Sequence, residues 1–289
     1  MPLGPIVDSH VHLWDPDGIL VPWLQTSWLN SPHGLAEYNQ VTEGVEVDAI
    51  VYLEIDAAES YRLTEAKQIA RLAERDPRIQ GIVACAPLED GDHVRGLLED
   101  LVEVGPLVKG IRRIYQAEPD PAFCLRPGFI RGIQILPEYG LTCDLCGNYT
   151  QLESSVELVR QCPGTEFILD HIFKPDIRGG QLEPWRSQMT EMAGFANVVC
   201  KISGAVTEAD GKNWTVADIR PYVEHALEAF GEDRVVFGGD WPVVTNAAPW
   251  RGWADALDQI TASFSDTAKR KLWAENARRF YRLPAGPTT

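Results

Sequence analysis

The stretch Ile6-Val7-Asp8-Ser9-His10-Val11-His12 decides the fold, because an apolar run ends there in two histidines instead of a glycine-rich turn. Doubly wound sheets that bind nucleotides carry such a turn after their first strand, and this sequence contains neither GxGxxG nor GxxxxGK. Seven similar runs follow, at residues 48–54, 79–85, 108–114, 141–146, 166–170, 198–203 and 235–239. Eight strands favour a closed barrel over a doubly wound sheet.

Amphipathic segments of helical period separate the predicted strands. Examples lie at residues 61–75, 94–103, 151–161 and 218–230, and residues 266–281 read as a closing helix. A helix between successive strands makes those strands parallel, since each crossover must return over one face of the sheet. The sequence therefore predicts an α/β protein, a single (β/α)8 barrel over residues 1–289, without a linker or composition break.

The composition excludes several classes of partner. The 289 residues include 26 basic and 42 acidic side chains, a net charge of −16, whereas nucleic acids and anionic membranes demand a basic face. No apolar run reaches the ~18 residues that span a bilayer. The first residues lack the features of a signal peptide, and the six cysteines lack framework spacing. We therefore expect a cytoplasmic protein with free thiols and a small-molecule substrate.

His10 and His12 are the first candidate site residues. They lie two residues apart on a strand, so their side chains point to the same face. At the carboxyl end of a barrel strand that face is the mouth, where catalytic sites assemble. Two convergent imidazoles can bind a divalent metal or donate hydrogen bonds to a bound carbonyl or hydroxyl. The alternative is a pair of unrelated, half-buried histidines.

Two later strands also end in groups that can do chemistry. His171 follows the sixth apolar run, and Asp240 follows Gly238-Gly239 at the end of the eighth. A carboxylate there can act as a general base for water or as a metal ligand, and the alternative is a helix N-cap. Lys174, just beyond His171, is either a substrate ligand or a solvated loop lysine.

Strand four ends in the adjacent pair Arg112 and Arg113, of which only one can enter the barrel mouth. An inward arginine would bind a carboxylate or polarise a carbonyl, and the sequence leaves open which of the two it is. Glu54 and Asp144 end strands two and five and are further pocket candidates, as is Lys201 on strand seven.

Three tryptophans, at positions 14, 23 and 28, crowd the segment after strand one. An aromatic face suits the apolar side of a sugar ring, which makes Trp23 a candidate substrate contact. Loop packing is the equal alternative.

Five motifs in register with the strands resemble the lactonase branch of the amidohydrolase superfamily. They lie at residues 6–16, 109–112, 169–175, 201–204 and 237–242. That branch contains sugar-acid lactonases, sulfomuconolactonase and pyrone-dicarboxylate hydrolases. The resemblance implies hydrolysis of the ester bond of a carbohydrate-derived lactone, an aldonolactone such as L-fucono- or L-rhamnonolactone, to the hydroxy acid.

The resemblance also implies a distribution of roles. The catalytic residues would be Asp240, His171 and Arg112. The substrate ligands would be His10, His12, Lys174, Glu54, Asp144 and Trp23. Two-metal members of the superfamily place a carboxylated lysine on strand four and a histidine on strand five, where this sequence has Arg112-Arg113 and Asp144. We therefore expect no metal requirement or one divalent ion, with zinc the expected one, held by His10, His12 and Asp240.

Two departures from the motifs leave the substrate open. Phe173 and Gly239 stand where relatives often carry a glycine and a serine. Alternative activities are hydrolysis of a muconolactone or a pyrone dicarboxylate, and metal-dependent decarboxylation of an aromatic acid. A catalytically silent barrel that binds a sugar acid is the non-enzymatic alternative.

Overall fold

A computed structural model describes residues 4–286 and contains one sheet of eight parallel strands in sequential order. The strands are β1 (Ile6–Val11), β2 (Val47–Leu53), β3 (Ile79–Cys85), β4 (Val108–Ile114), β5 (Thr142–Cys146), β6 (Phe167–Leu169), β7 (Val198–Ile202) and β8 (Val235–Phe237). All eight predicted strands are present, and the predicted (β/α)8 barrel is confirmed.

Helices alternate with the strands and cover the outside of the barrel. They are α1 (Leu35–Val41), α2 (Arg62–Ala73), α3 (Arg95–Glu103), α4 (Pro127–Gln134), α5 (Leu152–Gln161), α6 (Trp185–Ala193), α7 (Val216–Phe230), α8 (Trp250–Ile260), α9 (Asp266–Arg270) and α10 (Asn276–Phe280). The predicted closing helix is α9 and α10 joined by a π-helical turn, Lys271–Glu275. No helix within residues 4–286 is long and apolar enough to cross a membrane.

The seam, the junction of β1 with β8, is held differently from the other seven strand junctions. Those junctions each contain at least three paired residues. In the part of the chain that the structure describes, the seam has the single bridge between Val11 and Trp241. Two backbone hydrogen bonds close it, from Asp240 N to His10 O and from His12 N to Trp241 O, both at 2.8 Å. The barrel is thus closed at the strand ends that carry the candidate site residues.

The amino-terminal end of the barrel is apolar and sealed. Val7, Val51 and Val83 pack there against Phe280 and Leu283 of the C-terminal segment. Polar side chains are therefore concentrated toward the carboxyl ends of the strands, the end at which barrel enzymes bind their substrates.

Candidate active site

His10, His12 and Asp240 form one buried corner at the seam. The two Nε2 atoms lie 3.2 Å apart, and Asp240 Oδ1 lies 3.7 Å from each of them. His12 Nδ1 lies 2.9 Å from the carbonyl oxygen of Leu53 and must donate to it, because a carbonyl only accepts. The lone pair of His12 is therefore on Nε2 and faces the corner.

The donor set of this corner fits one divalent metal ion. The ligand atoms of tetrahedral zinc lie roughly 3.3–3.5 Å apart, given Zn–N and Zn–O bonds of ~2.0–2.1 Å. The separations of 3.2 and 3.7 Å between the three side chains bracket that range. Asp240 Oδ1 is also buried without a hydrogen-bond partner among the described residues, as expected for an atom that awaits a ligand.

A second group of potential ligands, His10, Asp170 and His171, is already filled by a cation of the protein. The ammonium of Lys201 lies 2.8 Å from Asp170 Oδ1 and 3.2 Å from His10 Nδ1. A metal ion at that place would meet the lysine charge directly. The structure therefore accommodates one metal ion at the corner, in agreement with the missing ligands on β4 and β5.

Below the corner lies an ion-pair network of five buried side chains: Glu54, Arg112, Asp144, Asp170 and Lys201. Arg112 pairs with Glu54 at 2.6 Å and with Asp170 at 3.1 Å. Lys201 pairs with Asp144 at 2.9 Å. Although burial opposes its charge, these carboxylates raise the pKa of Lys201. The network crosses the barrel from β2 to β7 and fixes the floor of the site.

The backbone turns left-handed directly after β6, and this turn carries His171 into the site. Residues 171–174 all have positive φ, of 46–59°, which is rare for a β-branched residue such as Ile172. His171 Nδ1 lies 2.9 Å from Ser203 Oγ, and a Cβ at Gly204 would stand 2.7 Å from the histidine ring. The turn therefore needs a glycine opposite it, and it leaves His171 Nε2 without a partner among the described residues.

Burial sets the protonation of the corner. It raises the pKa of the Asp240 carboxyl to about 7, lowers the pKa of His12 to about 3, and lowers those of His10 and His171 well below the usual value. The three histidines are therefore neutral near pH 7, while Asp240 can both accept and release a proton. A buried carboxyl with this pKa is suited to general-base catalysis.

A cavity of about 440 Å³ opens above the corner. Its lining includes the side chains of His12, Trp14, Trp23, Glu54, Asp56, Arg112, Gln116, Cys146, His171, Lys174, Thr207, Glu208 and Asp240. This volume suits a small molecule.

The structure answers which arginine of β4 faces inward. Arg112 lines the cavity, whereas Arg113 points outward and pairs with Glu89 and Glu118. Four contacts occupy Arg112, and the one from Nη1 to His10 Nε2 would be given up if that nitrogen bound a metal ion. In either case Nη2 keeps one hydrogen for a substrate.

The candidate substrate ligands divide into two groups. His12, Trp23, Glu54 and Lys174 line the cavity, and Lys174 Nζ has no ion-pair or hydrogen-bond partner among the described residues. His10 and Asp144 do not line it. His10 is 0% exposed beneath His12, and Asp144 is held under the floor by Lys201 and the Tyr281 hydroxyl. Substrate cannot reach either of them in this conformation.

Three features were not anticipated from the sequence. Asp170 joins both cations of the ion-pair network, and its one sequence signal is its place directly before His171 at a strand end. Glu208 lines the cavity from a loop that carries no motif. Phe173 and Gly239, the departures from the family motifs, do not line the cavity. They pack instead against Tyr115 and Trp250.

A model of the amidohydrolase family matches residues 7–283. The chain belongs to that family. This amidohydrolase is 30% identical over 298 residues to an uncharacterised protein of Sinorhizobium fredii, with 96% of this chain and 98% of the relative covered. It is 29% identical over 292 residues to the L-fucono-1,5-lactonase of Burkholderia multivorans, with 96% of each chain covered.

A solved structure of the family agrees with the fold over nearly its whole length. It is an amidohydrolase from Burkholderia multivorans with bound zinc, 28% identical, with a TM-score of 0.86. The match covers 97% of this chain and 100% of the Burkholderia chain. The protein is thus an enzyme of a hydrolase superfamily with lactonase-like relatives, which confirms the predicted family.

Proposed function

We propose that this amidohydrolase hydrolyses the ester bond of a neutral, hydroxyl-rich lactone derived from a sugar acid. The observation that carries the proposal is the charge and shape of the cavity above the corner. Four carboxylates line it, Glu54, Asp56, Glu208 and Asp240, against the two cations Arg112 and Lys174. Relatives named as L-fucono-1,5-lactonase and L-rhamnono-γ-lactonase support the same reaction type.

The charge of the cavity favours a neutral substrate over a dicarboxylate. Arg112 is already neutralised by Glu54, so Lys174 is the one lining cation that is free of an ion pair among the described residues. A pyrone dicarboxylate would bring two negative charges toward Glu208 and Asp240. Hydroxyl groups, in contrast, can donate to these carboxylates, and Trp14 and Trp23 offer apolar surface to a ring.

The catalytic steps use the atoms of the site that have no protein partner among the described residues. Asp240 accepts a proton from water through Oδ1, and the resulting hydroxide forms a bond to the lactone carbonyl carbon. Ser203 can donate to His171 Nδ1, which leaves the ring proton on Nε2, directed at the developing oxyanion. The spare Nη2 hydrogen of Arg112 serves the same oxyanion. The ring oxygen then leaves and takes the proton from Asp240, which yields the hydroxy acid.

A divalent ion held by His10, His12 and Asp240 would add Lewis-acid polarisation of the carbonyl when bound. Lys201 and Arg112, which contact the two nitrogens of His10 at 3.2 Å each, oppose a positive charge there. We propose that the ion assists the reaction and that the protein groups alone sustain it.

The test is acid release from purified protein, with and without a chelator. We expect turnover of L-fucono-1,5-lactone or L-rhamnono-γ-lactone under both conditions and no turnover of a pyrone dicarboxylate. No acid release from any neutral aldonolactone would contradict the proposed function. Turnover that disappears with the chelator would contradict the auxiliary role of the metal.

Glu208 provides a sharper test of the preference for neutral substrates. Glu208→Gln removes one negative charge from the cavity wall and keeps the shape of the side chain. We expect kcat/KM for an anionic lactone to rise relative to a neutral one, by about tenfold if one close charge contact is relieved. The exposed Glu228→Gln on α7 is the control and should leave that ratio unchanged.

A further inference from the structure

Among the described residues that do not line the cavity, Asp8 is the one whose side chain accepts hydrogen bonds from the backbone on both sides of the seam. It lies on β1 and is 0% exposed. Its Oδ1 accepts a hydrogen bond from the Gly239 amide at 2.7 Å and one from the His10 amide at 3.3 Å. Gly239 directly precedes Asp240. One carboxylate oxygen therefore contacts the backbone next to Asp240 and the backbone of His10.

The other oxygen of Asp8 is anchored to the outer helices. Oδ2 accepts from the Tyr38 hydroxyl of α1 and from Trp250 Nε1 of α8, both at 2.9 Å. Four donors thus hold one buried carboxylate, and charge-assisted hydrogen bonds of this kind are about twice as strong as neutral ones. The carboxylate is a fixed point to which both edges of the seam are tied.

A bulge in β1 makes this arrangement possible. In a regular strand Asp8 and His10 would point to the same face. The pairing with β2 shifts register between Asp8 and Val11, which inserts an extra residue. As a result Asp8 contacts the outer helices, while His10 contacts Lys201 inside the barrel.

Gly239 packs directly against the Asp8 carboxylate, and this close contact requires a glycine. A Cβ at this position would overlap both Asp8 Oδ2 and Trp250 Nε1. The chain therefore passes directly against the Asp8 carboxylate on its way to Asp240, which no larger residue would allow without displacing β8.

We propose that Asp8 is a positioning residue that sets the separation between Asp240 and the His10–His12 pair. The seam lacks a strand ladder, so apart from Asp8 its edges are joined, among the described residues, by the two backbone hydrogen bonds and by the bond from Ser9 Oγ to the carbonyl oxygen of Phe237. The Ser9 bond lies before the glycine pair, whereas the Asp8 bond acts on the residue next to Asp240. Asp8 does not line the cavity and contacts no substrate. Its kinetic effect rests on the proposed lactonase reaction, whereas its effect on the geometry of the corner does not.

The test compares Asp8→Ala with Tyr38→Phe in the full-length protein. Asp8→Ala removes both seam bonds, and Tyr38→Phe removes one bond to Oδ2 while Oδ1 keeps its contacts. Both variants should melt at a lower temperature. Only Asp8→Ala should lower kcat, by about 10²-fold, as expected for a catalytic group misplaced by ~1 Å. Its KM should change far less than kcat, because His12 and Asp240 are the displaced lining residues and the rest of the cavity wall keeps its position.

Zinc affinity, measured by competition with a chromophoric chelator, provides a readout that needs no turnover. We expect Asp8→Ala to weaken zinc binding by about 10–100-fold, the range typical of residues that orient metal ligands. Tyr38→Phe should bind zinc as the wild type does. If the wild type bound zinc but hydrolysed no lactone, the proposed function would fail, and the zinc comparison would still decide the role of Asp8.

A second pair of variants, Asp8→Asn alone and combined with Trp250→Phe, tests the proposal if Asp8→Ala does not fold. Asp8→Asn keeps an oxygen for the Gly239 amide but directs its NH2 group at the Trp250 donor. Adding Trp250→Phe removes that conflict and should restore kcat and zinc affinity. Absence of recovery, equal losses in Tyr38→Phe and Asp8→Ala, or wild-type kcat and zinc affinity in Asp8→Ala would each overturn the proposal.

Discussion

The corner formed by His10, His12 and Asp240 and the ion-pair network lie side by side in one barrel, yet their polar groups are paired to very different degrees. In the network each charged group has an opposite charge within 3.1 Å. At the corner Asp240 Oδ1 has no hydrogen-bond partner in the part of the chain that the structure describes, and the two neutral histidines lie 3.7 Å from it. Asp144 Oδ1 and Asp170 Oδ1 in the network also lack a hydrogen bond within residues 4–286, but Lys201 neutralises both of these carboxylates. Buried polar atoms are normally satisfied, so an unsatisfied carboxylate without a paired cation marks the place where a ligand or a proton is expected. The network holds the barrel floor together and presents Arg112 to the cavity, whereas the corner is the reactive side.

The largest expected effect comes from the reactive side. Asp240→Asn removes the proposed base but keeps the shape of the side chain, and asparagine tolerates the positive φ of 55° at this position. We expect kcat to fall by about 10²–10⁴-fold. The melting temperature should not decrease, because a buried carboxyl without a hydrogen bond on Oδ1 is replaced by a neutral amide. The measurement is steady-state kinetics with a thermal melt.

The exposed Asp100→Asn on α3 serves as the control for Asp240→Asn and should retain full activity. An Asp240→Asn enzyme with more than about a tenth of the wild-type kcat would exclude Asp240 as the general base.

The next largest effect is expected on stability, from a substitution in the ion-pair network. Lys201→Met leaves Asp144 and Asp170 buried with one cation fewer, and breaking a buried ion pair typically costs about 3–5 kcal/mol of unfolding free energy. Urea denaturation measures that loss. Lys201→Met combined with Asp144→Asn should recover part of it, because the amide no longer carries an unpaired charge.

A matched control exists at the surface. Lys271 also pairs with two carboxylates, Glu232 at 2.5 Å and Asp233 at 2.8 Å, but these carboxylates are about half exposed. Lys271→Met should cost only about 0–1 kcal/mol. Equal losses for Lys201→Met and Lys271→Met would show that the buried network does not stabilise the barrel as proposed.

The contrast between the two regions also explains what the sequence could predict. Apolar runs with polar ends identified all eight strands, because the repeating strand–helix pattern is local in the chain. The same rule placed His12, His171 and Asp240 at one mouth. It could not predict that Asp144 accepts hydrogen bonds from Lys201 and Tyr281 and is therefore kept out of the cavity, since these partners are 57 and 137 residues away. Pairing across a barrel depends on side-chain geometry that no local pattern encodes.

The role of β1 has the same explanation. Regular alternation predicted that His10 and His12 share a face, and the same rule would place Asp8 on that face as well. The bulge after Asp8 reverses that relation for Asp8 alone, and a bulge has no sequence signature in the run Asp8-Ser9-His10-Val11.

The last expected effect, spread over several pH units, concerns Glu65, a buried carboxyl beside the network that no cation pairs among the described residues. Glu65 on α2 accepts hydrogen bonds from the Tyr52 hydroxyl at 2.9 Å and the Ile55 amide at 3.0 Å. Burial raises its pKa to about 8, above the value of 4.5 expected for an unfolded chain. The folded state therefore holds this proton more tightly, and its contribution to stability is complete below pH ~4.5 and lost as the pH rises toward 8.

Glu65→Gln should remove this dependence. Between pH 5 and 7, inside the interval of the two pKa values, wild-type unfolding free energy should fall relative to the variant by up to about 1.4 kcal/mol per pH unit, and the slope should flatten toward pH 8. Urea denaturation at several pH values measures the difference, with the exposed Glu99→Gln as control. Parallel pH profiles for the wild type and Glu65→Gln would mean that Glu65 is ionised in the fold. Its charge would then have to be stabilised by Arg112, and the network would extend to α2.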